Sequence, residues 1–181
     1  MEKLQFIDLF AGIGGFHQAM NHFDSECVFA SEIDKYAIET YKKNYKIKDN
    51  REIENILEVN PADLPEYNFL CAGFPCQAFS KAGDRLGFKN ETKGTLFFEI
   101  ERLLQYRVDQ KNPVKYILLE NVANLVSHDS GRTWKVIEKH LKNLGYILTE
   151  EPLILSPHQF GVPQLRSRVF ICGIHKDFFE G

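Results

Sequence analysis

The chain has 181 residues, 44% of them hydrophobic and 26% charged, and a formal net charge of −3. That length and apolar content suit one globular domain spanning residues 1–181 and exclude a disordered or fibrous chain. No apolar run is long enough for a membrane span, Met1-Glu-Lys-Leu-Gln has no signal-peptide pattern, and the acid-leaning charge argues against a chain that grips nucleic acid unaided.

Short apolar strands alternate with longer amphipathic stretches, which predicts an α/β domain with a mostly parallel sheet. Leu4 to Phe10 reads as the first strand, Gly12, Gly14 and Gly15 as a turn, and Phe16 to Phe23 as a helix. Cys27 to Ser31 reads as the second strand, and Asp34 caps a helix running through Tyr45. Ile53 to Val59 has room for a short strand, and Phe69 to Ala72 is another strand. Gly73 to Lys93 reads as a long loop, Thr95 caps a helix to about Arg107, and Tyr116 to Leu119 is a strand. Trp134, Ile137, Leu141 and Leu144 share one helical face that Gly145 can end. Tyr146 to Leu155 and Val169 to Ile174 read as closing strands.

The four cysteines, Cys27, Cys71, Cys76 and Cys172, lack paired spacing, and the six histidines are scattered. No metal site is expected, and reduced thiols in a cytoplasm are. Cys71 and Cys172 lie within apolar strands and read as core.

Phe10-Ala-Gly-Ile-Gly-Gly follows a strand and opens a helix, where glycines permit a tight turn and close approach to a ligand. Glu32 ends the next strand, 20 residues after Gly12 (32 − 12), where an acid can bind ribose hydroxyls. The plainer alternative is a glycine turn that only packs helix on strand. Strand, helix and Glu32 together favour a nucleoside-type ligand. A pyrophosphate prefers the positive end of a helix, whereas adenosylmethionine carries a sulfonium and an amino-acid part. Asp8, just before the turn, can face that cationic part, or can be a buried acid bonded to the turn backbone.

Gly73-Phe-Pro-Cys-Gln sits past a strand end, where ligands bind in open α/β sheets. Pro75 stiffens the approach to Cys76. Glu120 follows four apolar residues and belongs at the same sheet edge, where desolvation would raise its pKa and let it hold or share a proton. Arg166 and Arg168 precede the last strand and share one side of an extended chain. Taken singly, each has a plainer role: a loop cysteine, a cap or surface acid, a solvated basic edge.

These residues also resemble the bacterial cytosine-5 DNA methyltransferases. The matching blocks are Phe6-Ile-Asp-Leu-Phe-Ala-Gly-Ile-Gly-Gly-Phe16, Ala72-Gly-Phe-Pro-Cys-Gln-Ala-Phe-Ser80, Gly94-Thr-Leu-Phe-Phe98, Leu119-Glu-Asn-Val122 and Gln164-Leu-Arg-Ser-Arg168. They occur in the family's order over nearly the whole chain. The resemblance implies a Rossmann-like fold that binds S-adenosylmethionine, with Phe10, Gly12, Gly14, Glu32, Ile33, Ile56 and Leu96 lining the donor pocket. It implies Cys76 as nucleophile and Glu120 at the cytosine N3 edge. Arg166 and Arg168 would order the catalytic loop and contact the O2 side. Where the family usually carries an acid against the adenine amino group, this chain has Asn55, a weaker acceptor.

The implied substrate is double-stranded DNA with the target base flipped out. A transfer-RNA cytosine methyltransferase would share fold and mechanism, although Phe74 before Pro75 looks more like the DNA enzymes. A non-catalytic remnant or regulatory subunit is the alternative of another class. The family continues past this point with a target-recognition region and a further donor-side segment, so the expectation is a fragment, or one subunit whose second polypeptide supplies recognition. The loop cations Lys81, Arg85, Lys89 and Lys93 are expected to reach phosphates as that loop closes.

Overall fold

The computed structural model describes residues 3–75 and 96–179. Seven strands form one sheet: β1 (Leu4–Leu9), β2 (Ser25–Ser31), β3 (Phe69–Gly73), β4 (Tyr116–Val122), β5 (Tyr146–Leu148), β6 (Leu153–Leu155) and β7 (Arg168–His175). Among the described residues, four α-helices accompany it: α1 (Gly15–Met20), α2 (Lys35–Asn44), α3 (Leu96–Asp109) and α4 (Arg132–Asn143). The strand order is β2-β1-β3-β4-β7-β5, with β6 beside β7. β1 pairs parallel with β2 and β3, and β3 with β4, while β7 is antiparallel to β4, β5 and β6. β7 therefore runs against all the others, and the sheet is mostly parallel, as the alternating pattern predicts.

The expected single strand Tyr146 to Leu155 is divided. Leu148 pairs with Gly173 and Leu153 with Phe170, so five steps on one strand face three on the other. The excess chain at 149–152 bulges out, which periodicity over a short apolar run does not reveal. Between Ile53 and Val59 only a bridge from Ser31 to Glu54 forms. The first helix is shorter than expected, ending at Met20.

Alternation along β1 separates two cores. Ile7 and Leu9 join a cluster with Phe97, Ile100 and Leu104 of α3 and Ile137 and Leu141 of α4. Phe6 joins Cys27, Ala30, Tyr41 and Cys71 on the other side, against α1 and α2. Each fully buried Leu, Ile or Phe contributes about 1.5–3 kcal/mol, which fixes the register of these parallel strands. Asp34 starts α2 by accepting from the N–H groups of Tyr36 and Ala37, at 2.9 and 2.8 Å. Gly145, at φ 92, follows α4 and lets the chain turn into β5. The connections from β1 to β2 and from β2 back across to β3 leave in opposite directions, so a crevice opens where β1 lies beside β3.

Candidate active site

At the carboxyl ends of β1, β2 and β3 lies an open cleft of about 300 Å3, lined by Phe10, Ser31, Glu32, Ile33, Asn55, Ile56, Leu57, Gly73, Pro75 and Leu96. The floor is the turn after β1. Phe10 sits at φ 55, which costs a bulky residue about 1–2 kcal/mol. Ser31 holds it there: its Oγ accepts from the Phe10 N–H at 3.2 Å and its carbonyl from the Ala11 N–H at 2.9 Å.

Glu32 completes the turn. One carboxylate oxygen accepts from the Gly12 N–H at 2.8 Å, the other from the N–H groups of Ile33 and Asp34 at 2.8 and 3.0 Å. Glu32 thus fastens the glycine turn to the start of α2 while still facing the cleft. Ile33, 74% exposed, and Leu57, 62% exposed, are apolar side chains bordering it, suited to the faces of a flat ring. Asn55 is engaged: its Oδ1 accepts from the Leu57 N–H at 3.1 Å, and its Nδ2 lies 3.4 Å from Glu58 Oε1.

Phe10, Glu32, Ile33, Asn55, Ile56 and Leu96 of the expected donor residues therefore border the cleft. Gly12 touches it through Glu32, and nothing lies within 4 Å of where a Cβ would stand. Gly14 faces the other way, its α carbon against the rings of Tyr41 and Tyr45. Asp8 does not face the cleft either. It is fully buried among the residues behind β1, away from any ligand in the cleft, and neither carboxyl oxygen makes the hydrogen bond to the turn backbone that the buried-acid alternative expects. Ser31 and Leu57 were not legible beforehand. A serine ending an apolar strand was the available signal for the first.

Beside the cleft stands the second group. β3 and β4 pair so that Gly73 faces Glu120 across the ladder, and Glu120 Oε2 lies near the Gly73 α carbon. Arg168 Nε is 2.8 Å from Glu120 Oε1. Half-burial raises the Glu120 carboxyl, and the Arg168 and Arg166 guanidiniums pull it back down. The Arg166 backbone N–H is held by Ser156 Oγ at 3.1 Å. Ser156 also begins a 3-10 turn closed reciprocally by Gln159.

Asn121, buried at the end of β4, was not singled out from the sequence. Its Nδ2 donates to the Phe74 carbonyl at 2.8 Å and its Oδ1 accepts from the Val122 N–H at 2.8 Å. It fixes the backbone two residues before Cys76. Cys76 itself, Thr95 and the cations Lys81, Arg85, Lys89 and Lys93 lie outside the described residues. Cys71 is buried as expected, while Cys172 is only partly so. Among the described residues, no group of three or more His, Cys, Asp or Glu side chains could hold a metal, and no helix is long and apolar enough to cross a membrane.

The cleft suits a nucleoside-type ligand. It offers a glycine turn where a Cβ would meet open space, exposed apolar side chains on either side, and a carboxylate at the turn.

The model of the C-5 cytosine-specific DNA methylases matches residues 4–180. The chain is 49% identical over 178 residues to the Type II methyltransferase M.BanI of Aneurinibacillus aneurinilyticus, covering 95% of this chain and 39% of the relative. It is 41% identical over 174 residues to the Type II methyltransferase M.HhaI of Haemophilus parahaemolyticus, covering 96% of this chain and 50% of the relative. The crystal structure of S. pombe Dnmt2 methyltransferase aligns with a TM-score of 0.71 at 26% identity, over 98% of this chain and 50% of that one. The chain thus spans about half the length of the curated relatives it matches.

Proposed function

The chain belongs to the C-5 cytosine-specific DNA methylase family, and we propose that it forms the catalytic region of an enzyme that transfers a methyl group from S-adenosylmethionine to C5 of cytosine in double-stranded DNA. The observation that carries this reading is one shared sheet edge. The cleft at β1 and β2, the β3 end leading to Cys76, and the Glu120–Arg168 pair on β4 and β7 stand side by side.

When bound, S-adenosylmethionine supplies an electrophilic methyl group. Phe10, Ile33 and Leu57 would offer apolar surface to its nucleoside part, and Glu32 would hold the turn beside it. The Cys76 thiolate attacks cytosine C6, forming an S–C6 bond and making C5 enamine-like. Glu120, raised by burial, holds a proton at N3 as charge develops there. C5 takes the methyl group as the methyl–sulfur bond of the donor breaks and leaves a neutral thioether; a base then removes the C5 proton, the electron pair re-forms the C5–C6 double bond, and the thiolate leaves. Arg168 holds Glu120 in place, and Asn121 holds the backbone from which the nucleophile segment departs.

The target base is flipped out of its stack, at a cost of a few kcal/mol. Target recognition by a second polypeptide belongs to the same proposal. It is supported by the net charge of −3, which gives a duplex little ionic grip, and by Phe160, Val162 and Leu165, apolar and exposed beside Arg166.

The test follows labelled methyl transfer to DNA by this chain, alone and mixed with the product of the neighbouring reading frame, for the native sequence and for Cys76→Ser. Transfer that survives Cys76→Ser removes Cys76 as nucleophile. Sequence-specific transfer by the chain alone removes the second polypeptide.

A further inference from the structure

Behind the glycine turn, on the side away from the cleft, three polar side chains occupy a core that is otherwise apolar. Strand alternation puts Asp8 on the same face as Phe6, where it pairs in register with Ala30 of β2 and Cys71 of β3. It is completely buried, and neither carboxyl oxygen has a hydrogen-bond partner. The His17 backbone N–H and the Tyr41 hydroxyl oppose the effect of burial without cancelling it. Burial lifts its carboxyl well above the usual range, so it is held neutral.

His17 enters this core from α1. Its Nδ1 lies 2.7 Å from the Tyr41 hydroxyl, and its ring stacks on Tyr45 with centroids 4.4 Å apart. Burial lowers His17 to about 4, so it is neutral at physiological pH. With its proton on Nδ1, His17 donates to the Tyr41 oxygen. Cys27 Sγ, 3.6 Å from the same hydroxyl, closes the group. Tyr41 of α2 and Tyr45, which caps its end, also form the wall against which Gly14 packs, and Tyr45 donates to Gln18 of α1 at 3.1 Å.

We propose that His17 and Tyr41, buried beside Asp8, form a brace for the glycine turn, and that they are positioning residues for donor binding although neither lines the cleft. The proposal rests on the reading of the cleft as the donor site. α1 has six residues, too few to be stable on its own propensity, and its N-terminus is the turn itself. Something outside it must set its place. Glu32 clamps the turn at Gly12 from the cleft side. His17 and Tyr41 clamp the next turn of chain from behind. A brace of this kind is costly if purely structural, because buried polar groups without partners are less stable than an apolar filling. Its polar groups give α1 one orientation on β1, where apolar side chains would permit sliding.

The experiment uses the full chain with two variants that keep the rings and remove the bond, Tyr41→Phe and His17→Phe. A control, Tyr146→Phe, removes another buried hydroxyl bond, to the Val114 carbonyl at 2.8 Å, on the opposite core. Calorimetry measures S-adenosylmethionine Kd, and amide hydrogen exchange measures local protection. The brace predicts that Tyr41→Phe and His17→Phe weaken Kd about fivefold to tenfold and lose protection at 12–17 while 69–73 stay protected. Tyr146→Phe leaves both unchanged whatever its cost in Tm. Unchanged Kd and unchanged protection in both brace variants overturn the proposal, as does an equal loss of affinity in the control. If the native chain binds no S-adenosylmethionine, the reading of the cleft fails, and the exchange pattern still decides the brace.

Discussion

Arg168 places its Nε 2.8 Å from Oε1 of Glu120, across the ladder that joins β7 to β4. Phe170 is the direct partner of Glu120 and Val122 that of Arg168, so the pair is diagonal and depends on the register of these two strands. Burial and the two guanidiniums act on the carboxyl in opposite senses. In the proposed reaction Glu120 works protonated, so turnover falls as pH rises through its pKa. Arg168→Gln removes a downward pull, so the pKa climbs and that limb of the kcat/KM profile moves to higher pH. Overall kcat/KM falls about tenfold with the loss of one charge-assisted hydrogen bond. Arg168→Lys keeps the charge and leaves the limb close to its native position. A limb that stays put in Arg168→Gln separates Glu120 from Arg168 in function.

Asn121→Ala tests whether the start of the nucleophile segment is held from β4. The substitution leaves the Phe74 carbonyl without its donor in a buried place, at a cost of roughly 1–3 kcal/mol. Methyl transfer should drop tenfold or more while S-adenosylmethionine Kd, set by other residues, changes less than twofold. Calorimetry beside single-turnover rates distinguishes this from general damage, which would weaken both.

Asp8→Asn should stabilise the protein at neutral pH. Asp8 is raised in the folded state, so its contribution is fully present below its unfolded pKa, near 3.9 for a free Asp, and is lost as pH rises towards the folded value. Asn mimics the protonated acid in shape and has no such loss. The Tm difference between variant and native chain should be near zero at about pH 3.5 and should grow with pH, by roughly 2–4 °C for each kcal/mol recovered. A Tm difference that is flat with pH would show that folding does not shift the Asp8 pKa.

The layout of this site was largely legible because its parts sit where strand ends meet short polar motifs. The glycine turn, Glu32, Glu120 and the Arg166–Arg168 pair each follow or precede an apolar run, so strand periodicity alone puts them on one edge. Asn121 and Ser31 escaped notice for a physical reason. Their work is done through backbone partners, Phe74 and Phe10, that only the fold brings close. The bulge between β5 and β6 escaped because a short apolar run carries no mark of where pairing breaks. The resemblance puts Gly14 at the donor, and a glycine in a turn gives no sign of which side is crowded; the Tyr41 and Tyr45 rings that crowd it are 27 and 31 residues away (41 − 14 and 45 − 14).

That difference between two glycines of one turn gives the last prediction. Gly12 and Gly14 both have positive φ, 55 and 95, so alanine at either carries backbone strain of about 1 kcal/mol or more. Their surroundings differ. A Cβ on Gly12 meets nothing within 4 Å, whereas one on Gly14 overlaps the Tyr45 ring. Gly14→Ala must therefore push α2 from α1, and should lower Tm by 5 °C or more, in the manner of an overpacked core, which costs about 1–3 kcal/mol beyond the strain. Gly12→Ala has room in the fold, but its methyl group enters the approach to the turn, and its N–H is the one Glu32 holds. It should cost no more than about 3 °C while weakening S-adenosylmethionine at least tenfold. Thermal melts and calorimetry on both variants check this together. If Gly14→Ala alone lost donor affinity with Tm intact, the crowded glycine would be the one at the ligand, and the assignment of cleft and brace to opposite sides of the turn would have to be exchanged.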